Sequence, residues 1–178
     1  MTVLVTGGAG YIGSMLVRQL LRAGHRVRVA DTLQAGGESI IDLLDVEKFE
    51  FVRSDVRDED AMREAADGVD AIVHLAAIVG DPACAEAPEL ARSINLDASK
   101  QLYRIAEDLG IEKFVFASTC SNYGKMEGED FLDEDSPLRP VSLYAETKVE
   151  VEKYLLDQPD SNDCKPTCLR FATVYGLS

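Results

Sequence analysis

The feature that most constrains this chain is a glycine-rich turn between a short apolar run and an amphipathic run. Gly8, Gly10 and Gly13 have the spacing G-x-G-x-x-G, and Gly7 adds a second frame, G-x-x-G-x-x-G. The flanking patterns indicate a strand before the turn and a helix over residues 12–21. Glycines at this spacing allow a tight turn, close approach of backbone N–H groups to a pyrophosphate, and close packing of helix on strand. The pattern therefore predicts a dinucleotide site at a helix N-terminus, where the helix dipole favours phosphate.

An aspartate follows at the distance that a dinucleotide site requires. Residues 26–30 form a second strand-like run, and Asp31 ends it roughly 20 residues beyond the glycine turn. An acid at this position binds the ribose hydroxyls of NAD and repels the extra phosphate of NADP. Residues 32–34 include no arginine that could neutralise such a phosphate. The alternative is a solvated loop aspartate, but with the glycines in place the sequence favours NAD over NADP.

Strand-like and helix-like runs alternate along the whole chain. Strands are predicted at residues 3–5, 26–30, 49–52, 69–76, 113–117 and 167–172. Helices are predicted at residues 12–21, 59–66, 89–109 and 142–157, with a shorter helical pattern at 40–46 and with Asp58 and Ser142 as N-caps. Loops are expected at residues 80–88 and, with many acidic residues, at 125–140. The alternation predicts an α/β fold, a doubly wound parallel sheet of the Rossmann type with strand order 3-2-1-4-5-6.

Composition and charge exclude several classes of function. The chain has 178 residues, of which 46% are hydrophobic and 28% are charged, as expected for one globular domain. Its formal net charge of −14 argues against general affinity for nucleic acid or an anionic membrane. No apolar run approaches the ~20 residues of a membrane span, and no signal peptide is expected, so a cytoplasmic protein is predicted. The four cysteines fit neither a secreted disulfide framework nor a metal site, so no metal is expected.

A phenol and an ammonium group are the candidate chemical groups of the last long helix. Tyr144 and Lys148 are four residues apart, so they share one helix face. A nearby cation, from lysine or from oxidised nicotinamide, favours the phenolate, which can take a proton from a substrate hydroxyl as hydride leaves. Ser118 and Thr119 follow the fifth predicted strand and would offer a hydroxyl to the same cleft. The alternatives are a surface helical pair and a polar corner.

His74 allows two interpretations. It lies in the fourth predicted strand, close to the expected cofactor, so a catalytic role is conceivable. A buried imidazole with satisfied hydrogen bonds is the favoured interpretation, because a strand buried on both faces must pair its polar groups internally.

Taken together, these motifs resemble the extended short-chain dehydrogenase/reductase family in its NAD-dependent epimerase/dehydratase branch, whose familiar members are nucleotide-sugar 4-epimerases. The resemblance covers residues 2–176. Its motifs are the glycine turn, Asp31, Asp55-Val56, His74-Leu75-Ala76-Ala77, Asn95, Ser118 to Gly124, Tyr144 with Lys148, Leu169-Arg170-Phe171 and Val174-Tyr175-Gly176.

The resemblance implies roles for individual residues. NAD would be bound by Gly7, Gly10, Tyr11, Ile12, Gly13, Asp31, Asp55, Val56, Leu75, Ala76, Ala77, Asn95, Ser118, Tyr144, Lys148 and Ala172. Within this set Asp31 would hold the adenosine ribose, and Asn95 would organise the site from the long helix. Thr119, Tyr144 and Lys148 would be catalytic, with Tyr144 as the base. The family also implies a homodimer through the helices at residues 89–109 and 142–157.

The sequence departs from the family pattern at three places. Cys120 and Ser121 stand where dehydratases of this branch carry an Asp-Glu pair, so 4,6-dehydration is disfavoured. Thr173 stands where Asn is common, which affects one expected substrate or cofactor contact. The chain ends at Ser178, whereas family members continue into a smaller lobe that grips the nucleotide of the substrate, so that lobe is expected to be missing.

The sequence therefore predicts an NAD-dependent epimerase or oxidoreductase that acts on a nucleotide sugar through transient hydride transfer. One alternative is a dehydrogenase or reductase of the same family that releases the keto compound. Another is a non-catalytic NAD-binding domain, a fragment of a larger enzyme. All 178 residues are expected to form one NAD-binding domain without a separate substrate domain.

Overall fold

Six parallel strands form one sheet at the centre of the computed structural model, which describes residues 1–125, 131–159 and 163–176. The strands are β1 (Thr2–Thr6), β2 (Arg26–Asp31), β3 (Phe49–Arg53), β4 (Ala71–His74), β5 (Lys113–Thr119) and β6 (Lys165–Phe171). Their order in the sheet is β3-β2-β1-β4-β5-β6. The predicted doubly wound topology is therefore confirmed, and the strand order reverses between β1 and β4, where such sheets bind ligands.

Helices connect the strands on both faces of the sheet. They are α1 (Tyr11–Arg22), α2 (Glu59–Ala66), α3 (Asp81–Glu86), α4 (Pro88–Arg92), α5 (Ala98–Asp108) and α6 (Leu143–Leu156). Two short 3₁₀ turns cover Glu38–Leu43 and Cys120–Tyr123. Both predicted N-caps are confirmed: the Asp58 carboxylate accepts from Ala61 N at 3.1 Å, and the Ser142 hydroxyl accepts from Ala145 N at 3.3 Å. Among these described helices, none combines the length and the apolar character that crossing a membrane requires.

The register of the sheet brings the ends of its central strands to one edge. Thr6 at the end of β1 pairs with Ala30 of β2 on one side and with His74 of β4 on the other. Asp31 at the end of β2 pairs with Arg53 of β3. Because all strands are parallel, their carboxyl ends lie at this edge, and the polar residues at those ends lie along it.

Apolar residues on both faces of the sheet hold the helices in place. Leu4, Ile72 and Phe114 belong to a buried cluster that includes residues of α2, α5 and α6. Val3 and Val5 face the other way, into a cluster with Val17 and other residues of α1 and β2. The side chains of neighbouring strand residues therefore enter opposite cores, as expected for a parallel sheet covered on both faces.

The predicted elements differ from the structure at several places, for identifiable physical reasons. The predicted helix at 89–109 is present as α4 and α5, joined without a break by a π-helical turn at Ser93–Asp97. The predicted loop at 80–88 contains α3, because Pro82 is tolerated in the first turn of a helix and does not break it. Strand β6 begins at Lys165, since Pro166 costs little on an edge strand. The predicted acidic loop at 125–140 lies partly outside the described residues.

Candidate functional site

A cleft of about 840 Å³ runs along the carboxyl ends of the strands. It begins beside Ser54 and Asp55 after β3, passes the turn before α1, and reaches Tyr144 and Lys148 on α6. Of the predicted site residues, it is lined by Gly7, Gly10, Tyr11, Ile12, Gly13, Asp31, Asp55, Val56, Leu75, Ala76, Ala77, Ser118, Thr119, Tyr144, Lys148 and Ala172. The fold thus brings together residues that are far apart in the sequence, in one groove long enough for an extended ligand.

The turn before α1 packs so closely that two of its glycines have no room for a side chain. A Cβ added at Gly13 would lie 2.2 Å from the carbonyl oxygen of Gly7. Gly7 has φ +71°, and a Cβ there would lie 2.7 Å from the backbone nitrogen of Ala76. The first hydrogen bond of α1 runs from Ser14 N to Gly10 O at 2.9 Å, so the N–H groups of residues 11–13, beside the cleft, have no partner within the helix. This geometry fits a pyrophosphate, which needs unpaired N–H groups and no intervening side chain.

Two aspartates flank the half of the cleft that lies beyond this turn. The carboxylate of Asp31 accepts from Ala9 N at 3.0 Å and from Leu33 N at 2.9 Å, which fixes its position beside the turn. Asp55 is paired with Arg57, whose guanidinium donates to both carboxylate oxygens at 2.9 and 2.6 Å. The hydrogen bond from Arg57 holds the pKa of Asp55 below its ordinary value, so Asp55 stays ionised.

The structure distinguishes the two hydroxyls at the end of β5. Ser118 donates its hydroxyl proton to the carboxylate of Glu152, so that hydroxyl is already engaged. The Oγ1 atom of Thr119 accepts from Ser121 N at 3.2 Å, which leaves its own proton available to a ligand. A threonine in this arrangement can donate a hydrogen bond to a substrate oxygen, whereas the proton of the Ser118 hydroxyl is not available for such a bond.

Burial dominates the electrostatics of Tyr144 and Lys148. Desolvation raises the pKa of Tyr144 above its ordinary value, and the nearby Cys84 and Asp81 act in the same direction. Lys148 Nζ lies 5.9 Å from the centroid of the Tyr144 ring and donates to the carbonyl of Ala117 at 2.8 Å. Burial lowers the pKa of Lys148 to about 8. Removal from water is thus the main influence on the phenol, and the predicted stabilisation of its phenolate by Lys148 or by oxidised nicotinamide stays a prediction.

His74 is a buried connector between three elements of the site. Its Nδ1 lies 2.6 Å from the Thr6 hydroxyl, and its Nε2 lies 2.9 Å from the Ser99 hydroxyl. Ser99 gives its own proton to the carbonyl of Asn95 at 2.8 Å, so Nε2 must carry the imidazole proton and Nδ1 must accept from Thr6. Burial lowers the pKa of His74 to about 3, helped by the Lys148 ammonium. The interpretation as a satisfied core histidine is confirmed.

Asn95 is the one predicted site residue that does not line the cleft. It is fully buried within the π turn, where its amide accepts from Ile78 N at 2.8 Å and donates to Ile78 O at 2.9 Å. These two bonds fasten the segment after β4, whose residues 75–79 form part of the cleft wall. Asn95 therefore supports the wall from behind, and its position agrees with an organising role rather than with direct contact.

Sequence reasoning assigned no role to two charged residues beside the cleft, the buried Glu152 on α6 and the half-buried Arg170 on β6. Glu152 is 1% exposed and pairs with Arg170 at 2.8 Å. A signal was present, because Glu152 follows Lys148 by four residues and Tyr144 by eight, which puts all three on one helix face. Among the described residues, no group of three or more His, Cys, Asp or Glu side chains could hold a metal ion.

Comparison with known proteins identifies the family. The model of the NAD dependent epimerase/dehydratase family matches residues 3–178, so the chain belongs to this family. The resemblance seen in the sequence motifs is thereby confirmed. NAD is the cofactor of this family, in agreement with the preference read from the glycine turn and Asp31.

Individual relatives carry two kinds of enzyme name. The chain is 33% identical over 180 residues to a UDP-glucose 4-epimerase of Lactobacillus helveticus, covering 100% of this chain and 53% of the relative. It is 32% identical over 182 residues to a 3-beta-hydroxysteroid dehydrogenase of Mycolicibacterium neoaurum, covering 98% and 48%. The structure of a Thermus thermophilus UDP-glucose 4-epimerase in complex with NAD matches with a TM-score of 0.89 and 36% identity, covering 99% and 56%. The chain thus spans about half the length of the curated relatives it matches.

The buried neutral state of His74 generates a prediction about stability and pH. Its pKa is lower in the folded chain than in the unfolded chain, so the unfolded state binds more protons between pH 6.5 and about 3. The contribution of His74 to the free energy of unfolding is complete above pH 6.5 and is lost as pH falls towards 3. We expect His74→Asn to reduce the slope of unfolding free energy against pH by up to about 1.4 kcal/mol per pH unit between pH 5 and 6.5.

Urea denaturation of the wild-type chain, His74→Asn and the control His25→Asn at several pH values would test this expectation. Equal slopes for the wild type and His74→Asn would show that the imidazole is not held neutral. Nitrogen chemical shifts of the His74 ring would independently report whether the proton resides on Nε2.

Proposed function

We propose that this chain binds NAD and carries the catalytic residues of an enzyme that epimerises a nucleotide sugar through transient hydride transfer, with Tyr144 as the base. The observation that carries the proposal is the single cleft that joins the glycine turn and Asp31 to Thr119, Tyr144 and Lys148. The names of the epimerase relatives support a nucleotide sugar, and specifically a UDP-sugar, as the substrate class.

The residues of the cleft would divide the binding of NAD between them. The N–H groups at the start of α1 would hold the pyrophosphate, and Asp31 would accept from the ribose hydroxyls. Asp55 and Val56 would flank the adenine, and Ala172 and Lys148 would lie towards the nicotinamide end. Asn95 would act from behind, by fixing the wall at Ile78.

The catalytic end would combine a hydroxyl donor with a phenol base. Thr119 would donate to the substrate oxygen, and Tyr144 would remove the proton from that oxygen. Because burial raises the pKa of Tyr144, the phenolate requires an added positive charge. Oxidised nicotinamide, when bound, supplies both that charge and the acceptor for hydride. Tyr144 would therefore become an effective base only in the complex with cofactor.

Two other functions remain as alternatives, each favoured by one observation. The steroid dehydrogenase relative supports a dehydrogenase or reductase that releases the keto product, because it matches the chain about as well as the epimerases do. The coverage of about half of each relative supports a non-catalytic NAD-binding part of a larger enzyme. Cys120 and Ser121 continue to disfavour 4,6-dehydration, since neither matches the acid and base of that reaction.

We expect the chain to bind NAD and to prefer it to NADP. The carboxylate of Asp31 is held in place by Ala9 and Leu33, so a phosphate on the ribose would meet a fixed negative charge. Titration calorimetry should give at least a ~10-fold preference for NAD, and Asp31→Asn should reduce that preference. Asp45→Asn, an exposed carboxylate outside the cleft, is the control. Comparable affinity of the wild-type chain for both dinucleotides would contradict the role of Asp31.

We expect Tyr144→Phe to retain NAD binding and to lose turnover of a UDP-sugar. General base catalysis is worth ~100-fold to ~10,000-fold, so kcat should fall by at least the lower figure. Tyr154→Phe removes a phenol hydroxyl from the same helix outside the cleft and should leave kcat unchanged. Survival of turnover in Tyr144→Phe would show that the phenol is not the base.

The products of the same assay separate the candidate functions. Inversion of a ring carbon without net NADH indicates an epimerase, whereas accumulating NADH indicates a dehydrogenase. Tight binding of NAD without turnover of any UDP-sugar would favour the non-catalytic alternative.

We further propose a homodimer through the helices at residues 89–109 and 142–157. Leu156, at the end of α6, is 58% exposed and would be covered by such an interface. Sedimentation equilibrium should give the mass of two chains, and Leu156→Glu should shift the equilibrium towards one chain. A wild-type mass of one chain at all concentrations would rule out this assembly.

A further inference from the structure

A buried carboxylate lies behind the catalytic end of the cleft. Glu152 on α6 is 1% exposed, although a glutamate is almost never fully buried unless it is paired. It lies on the helix face that carries Tyr144 and Lys148, and it is not part of the cleft lining. Such a residue must compensate the cost of its burial with several strong hydrogen bonds.

Glu152 gathers donors from three separate elements. Ser118 of β5 donates its hydroxyl to Oε1, and Asn122 of the 3₁₀ turn donates its amide to the same oxygen at 2.8 Å. Arg170 of β6 donates through Nε at 3.0 Å and through one terminal nitrogen at 2.8 Å to Oε2. We call Glu152, Ser118, Asn122 and Arg170 the Glu152 cluster. Its members lie on both sides of Thr119 in the chain, so the cluster fixes the backbone that carries the candidate catalytic hydroxyl.

Arg170 extends the cluster to the segment that leads into α6. Its other terminal nitrogen donates to the Tyr123 hydroxyl at 3.0 Å and to the carbonyl of Glu134 at 3.0 Å. Tyr123 in turn donates to the carbonyl of Asp133 at 2.8 Å. The pKa of the Arg170 guanidinium is raised by its bonds to Glu152, so it stays charged while making all these contacts. One guanidinium thus joins β6, the 3₁₀ turn and residues 133–134.

Glu152 also acts on the ammonium of Lys148 through space. Burial lowers the pKa of Lys148, and Cys84 and Glu152 oppose that effect. His74 on β4 and Tyr144 on the same helix are the other titratable groups near the ammonium, and the imidazole is neutral because of its low pKa. Glu152 therefore favours the charged form of Lys148. The ammonium is also tied to the cluster by contact, because it donates to the carbonyl of Ala117 at 2.8 Å, next to Ser118.

From this geometry we propose that Glu152 is a positioning residue for the reaction, and that Arg170 is its partner: together they hold Thr119, Lys148 and the segment 133–134 in one fixed arrangement. That Glu152 and Arg170 affect catalysis rests on the proposed function, whereas the arrangement itself rests on the contacts described above. Neither side chain is proposed to touch the cofactor or the substrate.

The experiment compares Glu152→Gln, which keeps the shape of the side chain, with Glu112→Gln. Glu112 is exposed and precedes the amino end of β5, at the opposite end from the site. We expect Glu152→Gln to speed amide hydrogen exchange in residues 118–124 and 133–136, and to lower the pKa of Lys148 below about 8, as followed by NMR of the lysine side chains. Glu112→Gln should change neither.

The kinetic readout separates positioning from a general loss of structure. A misplacement of ~1 Å can cost ~100-fold in rate, so kcat of Glu152→Gln should fall by about that factor while the affinity for NAD stays close to that of the wild type. A purely structural role would instead reduce the fraction of chain that binds NAD and leave kcat per binding-competent chain unchanged.

Arg170→Lys keeps the charge but loses the planar fork, and it keeps the proposal testable if Glu152→Gln fails to fold. It should speed exchange mainly in residues 133–136, with Arg63→Lys, at an exposed ion pair with Asp108, as its control. If both Glu152→Gln and Arg170→Lys match their controls in exchange and in the pKa of Lys148, the proposal is overturned. If the wild-type chain shows no turnover, the proposed function fails, while exchange and the Lys148 titration still decide whether the cluster positions these groups.

Discussion

The close contact between the start of α1 and the end of β1 is the constraint on which the rest of the structure depends. Without side chains at Gly7 and Gly13, the helix approaches the strand until the backbone atoms of the turn touch. This approach lets the first N–H groups of α1 face the cleft and brings Ala9 N onto the carboxylate of Asp31. Part of the cleft wall is therefore backbone, and the unpaired N–H groups of a helix N-terminus favour a phosphate.

Two polar clusters behind the cleft support its wall. One is centred on a neutral imidazole and the other on a pair of opposite charges. His74 links Thr6, Ser99 and the π turn as a neutral imidazole, because its environment strongly disfavours the charged form. Glu152 and Arg170 link β5, β6 and α6 as a charged, hydrogen-bonded pair. In both arrangements the central buried group, imidazole or carboxylate, has hydrogen-bond partners, and both tie residues of the cleft wall to elements behind it.

Membership of the NAD dependent epimerase/dehydratase family agrees with this architecture, since the family match extends over residues 3–178. The part of the chain that the structure describes contains one cleft that runs from the glycine turn to a hydroxyl, a phenol and an ammonium at one end. The relatives are about twice as long as the chain, so their substrates and activities bear on it only as proposals. The cleft is the physical basis for proposing cofactor binding and a phenol base, whereas the substrate class is proposed from the names of the epimerase relatives.

The fold and most of the cleft could be predicted from the sequence, because they depend on local patterns. The glycine spacing, the alternation of strands and helices, and the caps Asp58 and Ser142 are properties of short segments, and each appears in the structure as expected. A parallel sheet then brings the ends of its strands to one edge, so residues such as Asp31 and Thr119 line the same cleft for topological reasons.

Tertiary packing decided the protonation and the hydrogen-bonding role of individual side chains in and behind the cleft. It placed Asn95 behind the wall, engaged Ser118 with Glu152 while leaving the Thr119 proton available, and raised the pKa of Tyr144 despite the nearby lysine. These outcomes depend on burial and on partners from distant segments: Glu152 meets Ser118 and Arg170 only once β5, β6 and α6 have packed. Desolvation and hydrogen-bond partners are set by three-dimensional neighbours, and a residue's position in a sequence pattern carries little information about them.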